Sequence, residues 1–261
     1  MSTQHKPLDT ASKSQESLVD FIRSFIWAGG LALVIRFFII SPFVIPSGSM
    51  IPTLLVGDYL FVSCFSFGYS KYTLPFGYHL KNVPGRLFDF QKPQQGNAVV
   101  FRPLSNPKVD YVKRLIGLPG DKIQMRQGRL YINGAPTQLK KIGPFKKRAD
   151  EGGALTEGTL YEETLPNGSK HTILKQVPFG ACPYDDTPVY TVPPKHYFVV
   201  GDNRDGSLDS RALHAIGYIP YDTLIGKPLI IFFSTDGRTR WWEFWKWPLA
   251  TRFSRFFKVI H

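Results

Sequence analysis

A lysine among apolar residues is the feature of this sequence that points most directly to chemistry. Lys113 lies in the run Tyr111-Val-Lys-Arg-Leu-Ile, and strand alternation places it on the same face as Tyr111 and Leu115. Removal from water disfavours the ammonium ion, so the pKa of such a lysine falls from about 10.4 toward about 7–8. A neutral lysine amine can act as a general base toward a serine hydroxyl.

Serines, glycines and charges are concentrated in three other stretches: 42–55, 96–103 and 200–211. Each feature alone also fits ordinary structure. Ser47 and Ser49 on either side of a glycine fit a turn, Lys113 fits a surface charge, and the last stretch fits a solvated loop with local salt bridges. The chemical interpretation therefore depends on all of them occurring together and in order.

Taken together, these stretches and 110–121 closely resemble the sequence boxes of the bacterial type I signal peptidases (leader peptidases). The matching motifs are Pro-Ser-Gly-Ser-Met-x-Pro-Thr-Leu, Tyr-x-Lys-Arg-x-x-Gly-Leu-Pro-Gly-Asp and Gly-Asp-Asn-Arg-Asp-x-Ser-x-Asp-Ser-Arg, between about Arg36 and Arg211. The resemblance implies a membrane-anchored Ser/Lys-dyad protease that removes signal peptides from exported preproteins by cutting after Ala-x-Ala. It implies no cofactor, and no Cys/His cluster has zinc-ligand spacing.

The resemblance also implies roles for individual residues. Ser49 would be the nucleophile and Lys113 the general base, which later passes the proton to the leaving amine. The Ser47 hydroxyl and the Ser49 backbone N–H would form the oxyanion hole. Ser207 would hydrogen-bond the Lys113 ammonium and orient it.

Support and substrate selection are implied in the same way. Asp209 and Arg211 would pair and brace their loop. Shallow apolar pockets for the substrate's −1 and −3 residues would be lined by Phe43, Ile45, Met50, Leu54, Tyr111 and Val112. Small pockets would exclude larger side chains by steric clash, which fits the family's preference for Ala-x-Ala.

Three positions depart from the pattern of the family. Asn97 replaces a common Asp, Gly206 a common Asn, and Leu208 a common Ala. None of them is an expected catalytic group, although Leu208 lies next to Ser207.

One membrane-spanning helix is predicted near the N-terminus. The run 25–45 is nearly all apolar apart from Arg36, and it has about the 20 residues that a spanning helix needs. An earlier register, 18–38, lets Arg36 reach the interface, so we predict a tail over 1–18 and a span over 19–42. A cleaved signal peptide is the alternative, but no small-x-small site follows the run.

Basic residues predict the orientation of this helix. Lys6, Lys13 and Arg23 precede the span, and after Arg36 the next basic residue is Lys71. The positive-inside rule then places the N-terminus in the cytoplasm and the rest outside, which for the resembling family is outside the bacterial plasma (inner) membrane. Expected partners are signal peptides, membrane lipid and, nearby, the secretion translocon; nucleic acid is not expected on that side.

The remainder of the chain is predicted to be mostly β, with an antiparallel β catalytic domain over 43–232 and an inserted second β-rich lobe over about 134–194. Short β-rich runs between turns support this: 59–63, 98–101, 122–125, 129–132, 196–200 and 228–233. Asn133-Gly134 fits a hairpin turn. Asn167-Gly168-Ser169 fits a glycosylation sequon, and it fits another hairpin turn better. Much of the lobe looks polar and loop-like.

The C-terminal stretch 233–261 interleaves aromatic and basic residues. Four tryptophans occur within seven residues: Trp241, Trp242, Trp245 and Trp247. Next to a membrane anchor, this composition predicts a membrane-interface segment. The alternative is a plain helix packed on the domain.

Composition limits the other function classes. The chain of 261 residues is 43% hydrophobic and 15% aromatic with a net charge of +12, which excludes a disordered protein. A Ser/His protease would use His196 or His214, and the Ser-x-x-Lys pattern at Ser105 and Lys108 lacks the helix that β-lactamases place there.

Two alternative functions and one possible disulfide bond remain open at this stage. A catalytically silent module could bind signal peptides without cutting them. A cytoplasmic self-cleaving repressor would share the dyad but needs a DNA-binding segment, which is not visible. Cys64 and Cys182 could pair in an oxidising compartment, although a buried, free Cys64 fits the sequence better.

Overall fold

The computed structural model describes residues 10–73, 83, 85–148, 155–236 and 243–260. Over these ranges the chain is mostly β, as predicted, with a long apolar helix at its start. The sixteen strands are β1 (Ile40–Val44), β2 (Asp58–Ser63), β3 (Tyr69–Ser70), β4 (Arg86–Phe88), β5 (Ala98–Phe101), β6 (Tyr111–Gly117), β7 (Lys122–Arg126), β8 (Arg129–Ile132), β9 (Ala135–Pro136), β10 (Gln138–Arg148), β11 (Leu155–Thr164), β12 (Lys170–Lys175), β13 (Tyr190–Thr191), β14 (His196–Val200), β15 (Ile219–Pro220) and β16 (Leu224–Ser234). All six predicted runs lie within strands.

The N-terminal helix α1 spans Thr10–Val34 and continues as a π-helical turn over Ile35–Ile39. Its stretch Leu18–Ile39 is long and apolar enough to cross a membrane, and none of it is buried against the domain. The helix therefore begins before the predicted segment 19–42 and ends three residues before its end. Pro42 cannot join a helix interior and biases the residue before it toward extended backbone.

The principal sheet has seven antiparallel strands in the order β1-β2-β16-β5-β6-β14-β15. Strand β1 follows the helix directly and pairs with β2, so the membrane helix leads straight into the edge of this sheet. In β6, Lys113 lies opposite Val99 of β5, the register that places it on the face of Leu115.

The second lobe consists of two smaller sheets, β13-β7-β8-β9 and β10-β11-β12. In the first of these sheets β7, which begins at Lys122, pairs with β8 and β13. The polar stretch predicted to be loop-like contains the long β10–β11 hairpin, in which the charged residues of β10 are all basic and those of β11 are all acidic. The Asn133-Gly134 turn forms as predicted, with φ of 54° and 85°.

The C-terminal residues 243–260 fold back on the principal sheet. They include a short helix α2 (Trp247–Ala250) and pair with β16 through bonds from Ile231 N to Lys258 O and from Phe257 N to Ile231 O. Ile260 is buried in the core with Ile45 and Met50. Trp241 and Trp242 lie outside the described residues.

Candidate active site

One cavity of about 330 Å³ brings together most of the residues predicted to carry chemistry. It lies between the end of β1, the 3-10 turn Gly48–Met50 and the start of β6. Its lining includes Phe43, Ile45, Ser47, Ser49, Met50, Tyr111, Val112 and Lys113. The cavity is therefore an apolar cleft with a serine and a lysine in its wall.

Lys113 has the electrostatic character that its sequence neighbours predict. Its side chain is buried, and burial, with a smaller contribution from Arg211, lowers its pKa to about 8 although Asp209 and Asp202 oppose the shift. At pH 8 about half of the amines would be neutral and able to accept a proton. The described contacts include no hydrogen bond from Lys113 Nζ to Ser49 Oγ, and such bonds often shorten only when substrate binds.

The turn Gly48–Met50 presents two hydroxyls to the same cavity. Ser49 is buried and Ser47 is exposed, with 3.5 Å between their Oγ atoms. Both serines line the cavity. This placement suits a nucleophile beside a hydroxyl donor for a developing oxyanion.

The loop 200–211 lies beneath this turn. Asp209 and Arg211 form a bidentate ion pair, with distances of 2.8 and 2.9 Å, and Asp209 also accepts a bond from Gly201 N. Burial would raise the pKa of Asp209, but the Arg211 guanidinium outweighs it and holds that pKa below its usual value. Asp209 therefore stays ionised close to Lys113.

Ser207 is buried, but its predicted hydrogen bond to Lys113 is not formed among the described residues. Its hydroxyl instead packs against Gly201. A Cβ at Gly201 would lie 2.2 Å from Ser207 Oγ and 2.5 Å from the Ser49 carbonyl oxygen. Only glycine fits there, and this lets the loop approach the nucleophile closely.

Leu54 is the one predicted pocket residue that does not line the cavity. The bond from Leu54 N to Met50 O turns the chain inward after the catalytic turn. The Leu54 side chain is consequently fully buried behind Met50 and Ile45. It supports the pocket wall from within the core.

Two supports of the nucleophile were missed by sequence reasoning. Asn203 donates from its backbone to Ser49 O and from its side chain to Gly48 O, at 3.1 Å each. Asp202 accepts a bond from Thr53 Oγ1 and a bidentate pair from Arg114 at 2.7 Å. Asp202 and Asn203 belong to the same sequence motif as Ser207, Asp209 and Arg211. Their membership of this motif was the signal that could have identified them.

Comparisons with known proteins show the family of this chain. The family model described as signal peptidase, peptidase S26, matches residues 18–233. The chain belongs to this family. It is 38% identical to signal peptidase I of Rickettsia typhi, over 96% of this chain and 97% of the relative, and 39% identical to that of Rickettsia prowazekii, over 91% and 92%. A solved signal peptidase I from Enterococcus faecalis is 26% identical over 53% of this chain and 98% of its own, with a TM-score of 0.30.

The residues of the rival interpretations lie away from the cavity of this signal peptidase family member. His196 contacts Pro194 O, and neither His196 nor His214 lines the cavity. Ser105 and Lys108 are exposed in a loop, as their flanking prolines predict.

The cysteines also stay outside the site. Cys64 is buried and Cys182 half-buried, and both are free thiols. Cys182 lies with Asp185 and Asp205 in a group that could hold a cation, but the Lys175 ammonium bonds both carboxylates there at 2.9 and 2.6 Å. That cationic position is thus filled by the protein's own lysine.

Proposed function

We propose that this protein is a membrane-bound serine endopeptidase that removes signal peptides from exported preproteins, with Ser49 as nucleophile and Lys113 as general base. The observation that carries the proposal is the shared cavity, in which Ser49 faces a buried lysine whose pKa is lowered to about 8. The family membership supports the same reaction.

The reaction would proceed in two stages. The neutral Lys113 amine removes the Ser49 hydroxyl proton as Oγ attacks the scissile carbonyl carbon, and the Ser47 hydroxyl and Ser49 N–H bind the oxyanion. Collapse of the adduct breaks the C–N bond while Lys113 returns the proton to the leaving amine. Water, deprotonated by Lys113, then hydrolyses the acyl-enzyme and releases the signal peptide.

Substrate selection would follow from the apolar walls of the cavity. Phe43, Ile45 and Met50 on one side and Tyr111 and Val112 on the other leave shallow space for the residues at −1 and −3. Alanine fits such space, whereas branched or longer side chains clash. We therefore assign cleavage after Ala-x-Ala.

Membrane placement is proposed from the helix and its junction with the domain. Cys64 N donates to Ile39 O, and Tyr69 packs against Phe38 and Phe90 with ring centroids 5.7 and 5.8 Å apart. This junction keeps the sheet edge next to the helix end, so the cavity would lie at the outer bilayer surface. The N-terminus would be cytoplasmic and the catalytic domain outside the bacterial plasma (inner) membrane, near the secretion translocon.

The C-terminal segment supports contact with lipid as well as packing on the domain. Although Ala250 and Ile260 are buried and its backbone pairs with β16, the segment exposes six large apolar side chains among its described residues: Trp245, Trp247, Leu249, Phe253, Phe257 and Val259. Leu249 is 93% exposed. Tryptophan and phenylalanine beside basic residues favour the headgroup region of a bilayer.

The proposal is tested by cleavage of an Ala-x-Ala preprotein in detergent micelles, comparing wild type with Ser49→Ala and Lys113→Ala. We expect one cut after the small residue and no cleavage by either variant. Lys108→Ala is the matched control, because Lys108 is exposed in a nearby loop, and it should cleave normally.

Two results would overturn the proposal. If Lys113→Ala keeps near-normal activity, the base lies elsewhere, and His196 and His214 become the next residues to replace. If the wild-type protein binds the preprotein but never cuts it, the protein is a silent binding module.

A further inference from the structure

The C-terminal segment reaches the loop that follows the nucleophile. Arg255 forms a bidentate pair with Asp58, with Nη2–Oδ2 at 2.6 Å and Nε–Oδ1 at 2.9 Å. Arg255 Nη2 also donates to Thr53 O at 3.0 Å. Asp58 is completely buried, so this pairing is part of the interior of the domain. The segment lies beyond residue 233, where the match to the family model ends.

Asp58 and a second arginine hold the rest of this loop. The Asp58 carboxylate accepts bonds from Leu55 N at 2.8 Å and from Ser234 Oγ at 2.7 Å. Arg252 Nη1 donates to Val56 O at 2.9 Å. The backbone of 53–58 is therefore anchored by side chains that lie almost two hundred residues further along the chain.

The loop in turn supports two walls of the cavity. Ile45 N donates to Asp58 O at 2.9 Å, and Gly57 N donates to Ile45 O at 3.0 Å. Leu54, in the same loop, packs with Met50, Ile45 and Ile260 in one core cluster. A shift of 53–58 would thus move Ile45 and Met50, which line the substrate cavity.

We propose that Arg255 is a positioning residue for substrate selection, which through Asp58 fixes the loop 53–58 and keeps the cavity too narrow for side chains larger than alanine. The proposal rests on the proposed function. Arg255 touches no substrate, and its effect passes through Asp58, Ile45 and Met50. The C-terminal segment would then serve the active site as well as the lipid surface.

A purely structural role for Arg255 would lower stability without changing which residue is accepted at −1. The decisive measurement is therefore the kcat/KM for a preprotein with Ala at −1 divided by the kcat/KM for the same preprotein with Val at −1. Pockets that exclude one or two methyl groups discriminate by about 10–200-fold. We expect Arg255→Gln to lower this ratio by about tenfold, at a temperature where its circular dichroism is that of wild type.

Two variants guard against misfolding and nonspecific effects. Arg255→Lys keeps the charge but loses the bidentate geometry, so its ratio should fall between those of wild type and Arg255→Gln. Lys246→Gln is the matched control, since Lys246 pairs with Glu243 at the surface of the same segment. Its ratio should equal that of wild type.

Amide hydrogen exchange tests the loop independently of catalysis. In Arg255→Gln the amides of Leu54 and Leu55 should exchange at least about tenfold faster, because the Asp58 acceptor of Leu55 N is no longer fixed. A folded Arg255→Gln protein with unchanged exchange and an unchanged −1 ratio would overturn this proposal while leaving the proposed function intact. Absence of cleavage by wild type would overturn the proposed function, and the exchange result would still decide whether Arg255 holds the loop.

Discussion

Lys113 and Arg114 are neighbouring cations on opposite faces of β6, and burial affects them in different ways. Lys113 points toward the apolar cavity, and its pKa is lowered to about 8 by burial. Arg114 points the other way and is equally buried, but Asp202 accepts two bonds from it at 2.7 Å and Gly96 O a third at 2.6 Å. The two residues are adjacent in sequence and share one strand.

The difference lies in what each cation meets after burial. Arg114 is matched by a buried carboxylate, so it joins β6 to the loop 200–211 beneath Ser49. Lys113 forms no ion pair among the described residues, and the charges of Asp209 and Asp202 do not offset its burial, so its neutral form becomes accessible. Burial of a cation thus yields a reactive amine on one face of β6 and a structural ion pair on the other face.

The largest expected effect comes from removing the reactive cation. Lys113→Met should lower kcat/KM by at least about 10³-fold, because the base is lost. It should also stabilise the protein at pH 7 by up to about 3 kcal/mol, because the native state no longer holds a buried ammonium. Cleavage assays and thermal unfolding of the same samples measure both changes.

The pH dependence of stability sharpens this prediction. In wild type the native state releases the Lys113 proton at about pH 8, whereas the unfolded state keeps it to about 10.5, so stability should rise across that interval. Lys113→Met should lose this rise, and the exposed Lys108→Met should keep it. If Lys113→Met is less stable than wild type at pH 7, the assignment of Lys113 as a buried cation without an ion-pair partner is contradicted.

The next largest effect should come from breaking the ion pair between Arg114 and Asp202. Arg114→Met leaves the Asp202 carboxylate buried without its cation and should cost about 3–5 kcal/mol of unfolding free energy. Arg114→Met with Asp202→Asn should recover part of this loss, because no buried charge is then left unmatched. Urea denaturation of the two variants measures the difference, and equal stabilities would show that Asp202 is not isolated by the loss of Arg114.

The smallest effect concerns the carboxylate that faces the reactive lysine. Asp209 raises the pKa of Lys113, so Asp209→Asn should lower it and move the rise of kcat/KM, expected near pH 8 in wild type, to lower pH by about one unit. The pH–rate profile is the measurement. Asp186→Asn, an exposed carboxylate of the lobe, should leave the midpoint unchanged, and a shift toward higher pH in Asp209→Asn would contradict the electrostatic picture.

Local sequence patterns were sufficient for the elements that carry the reactive groups. The alternation around Lys113 predicted both its strand and its apolar surroundings, and the small residues at Ser47 and Ser49 predicted a turn. The apolar run 25–45 predicted a membrane helix over 19–42, although Pro42 could have set its end more closely. Each of these features is governed by residues only a few positions apart.

The polar lobe was harder to predict from the same patterns. The charged residues of β10 are all basic and those of β11 are all acidic, and Lys146 pairs with Glu157 across the hairpin. Without knowledge of the pairing, such strands resemble solvated loops.

The sequence by itself predicted the strand that presents Lys113 and its apolar surroundings, because these depend on neighbouring residues, and its motifs indicated Ser49 as the proposed nucleophile and Lys113 as the proposed base. Only the tertiary structure decided which buried charges are matched: Arg114 with Asp202, 88 positions away, and Arg255 with Asp58, 197 positions away. It also placed Asn203 against Ser49 and moved Leu54 behind the pocket wall. A side chain becomes buried and finds its ion-pair partner only when distant segments of the chain pack together. Burial and pairing then decide whether a charged side chain is reactive or structural.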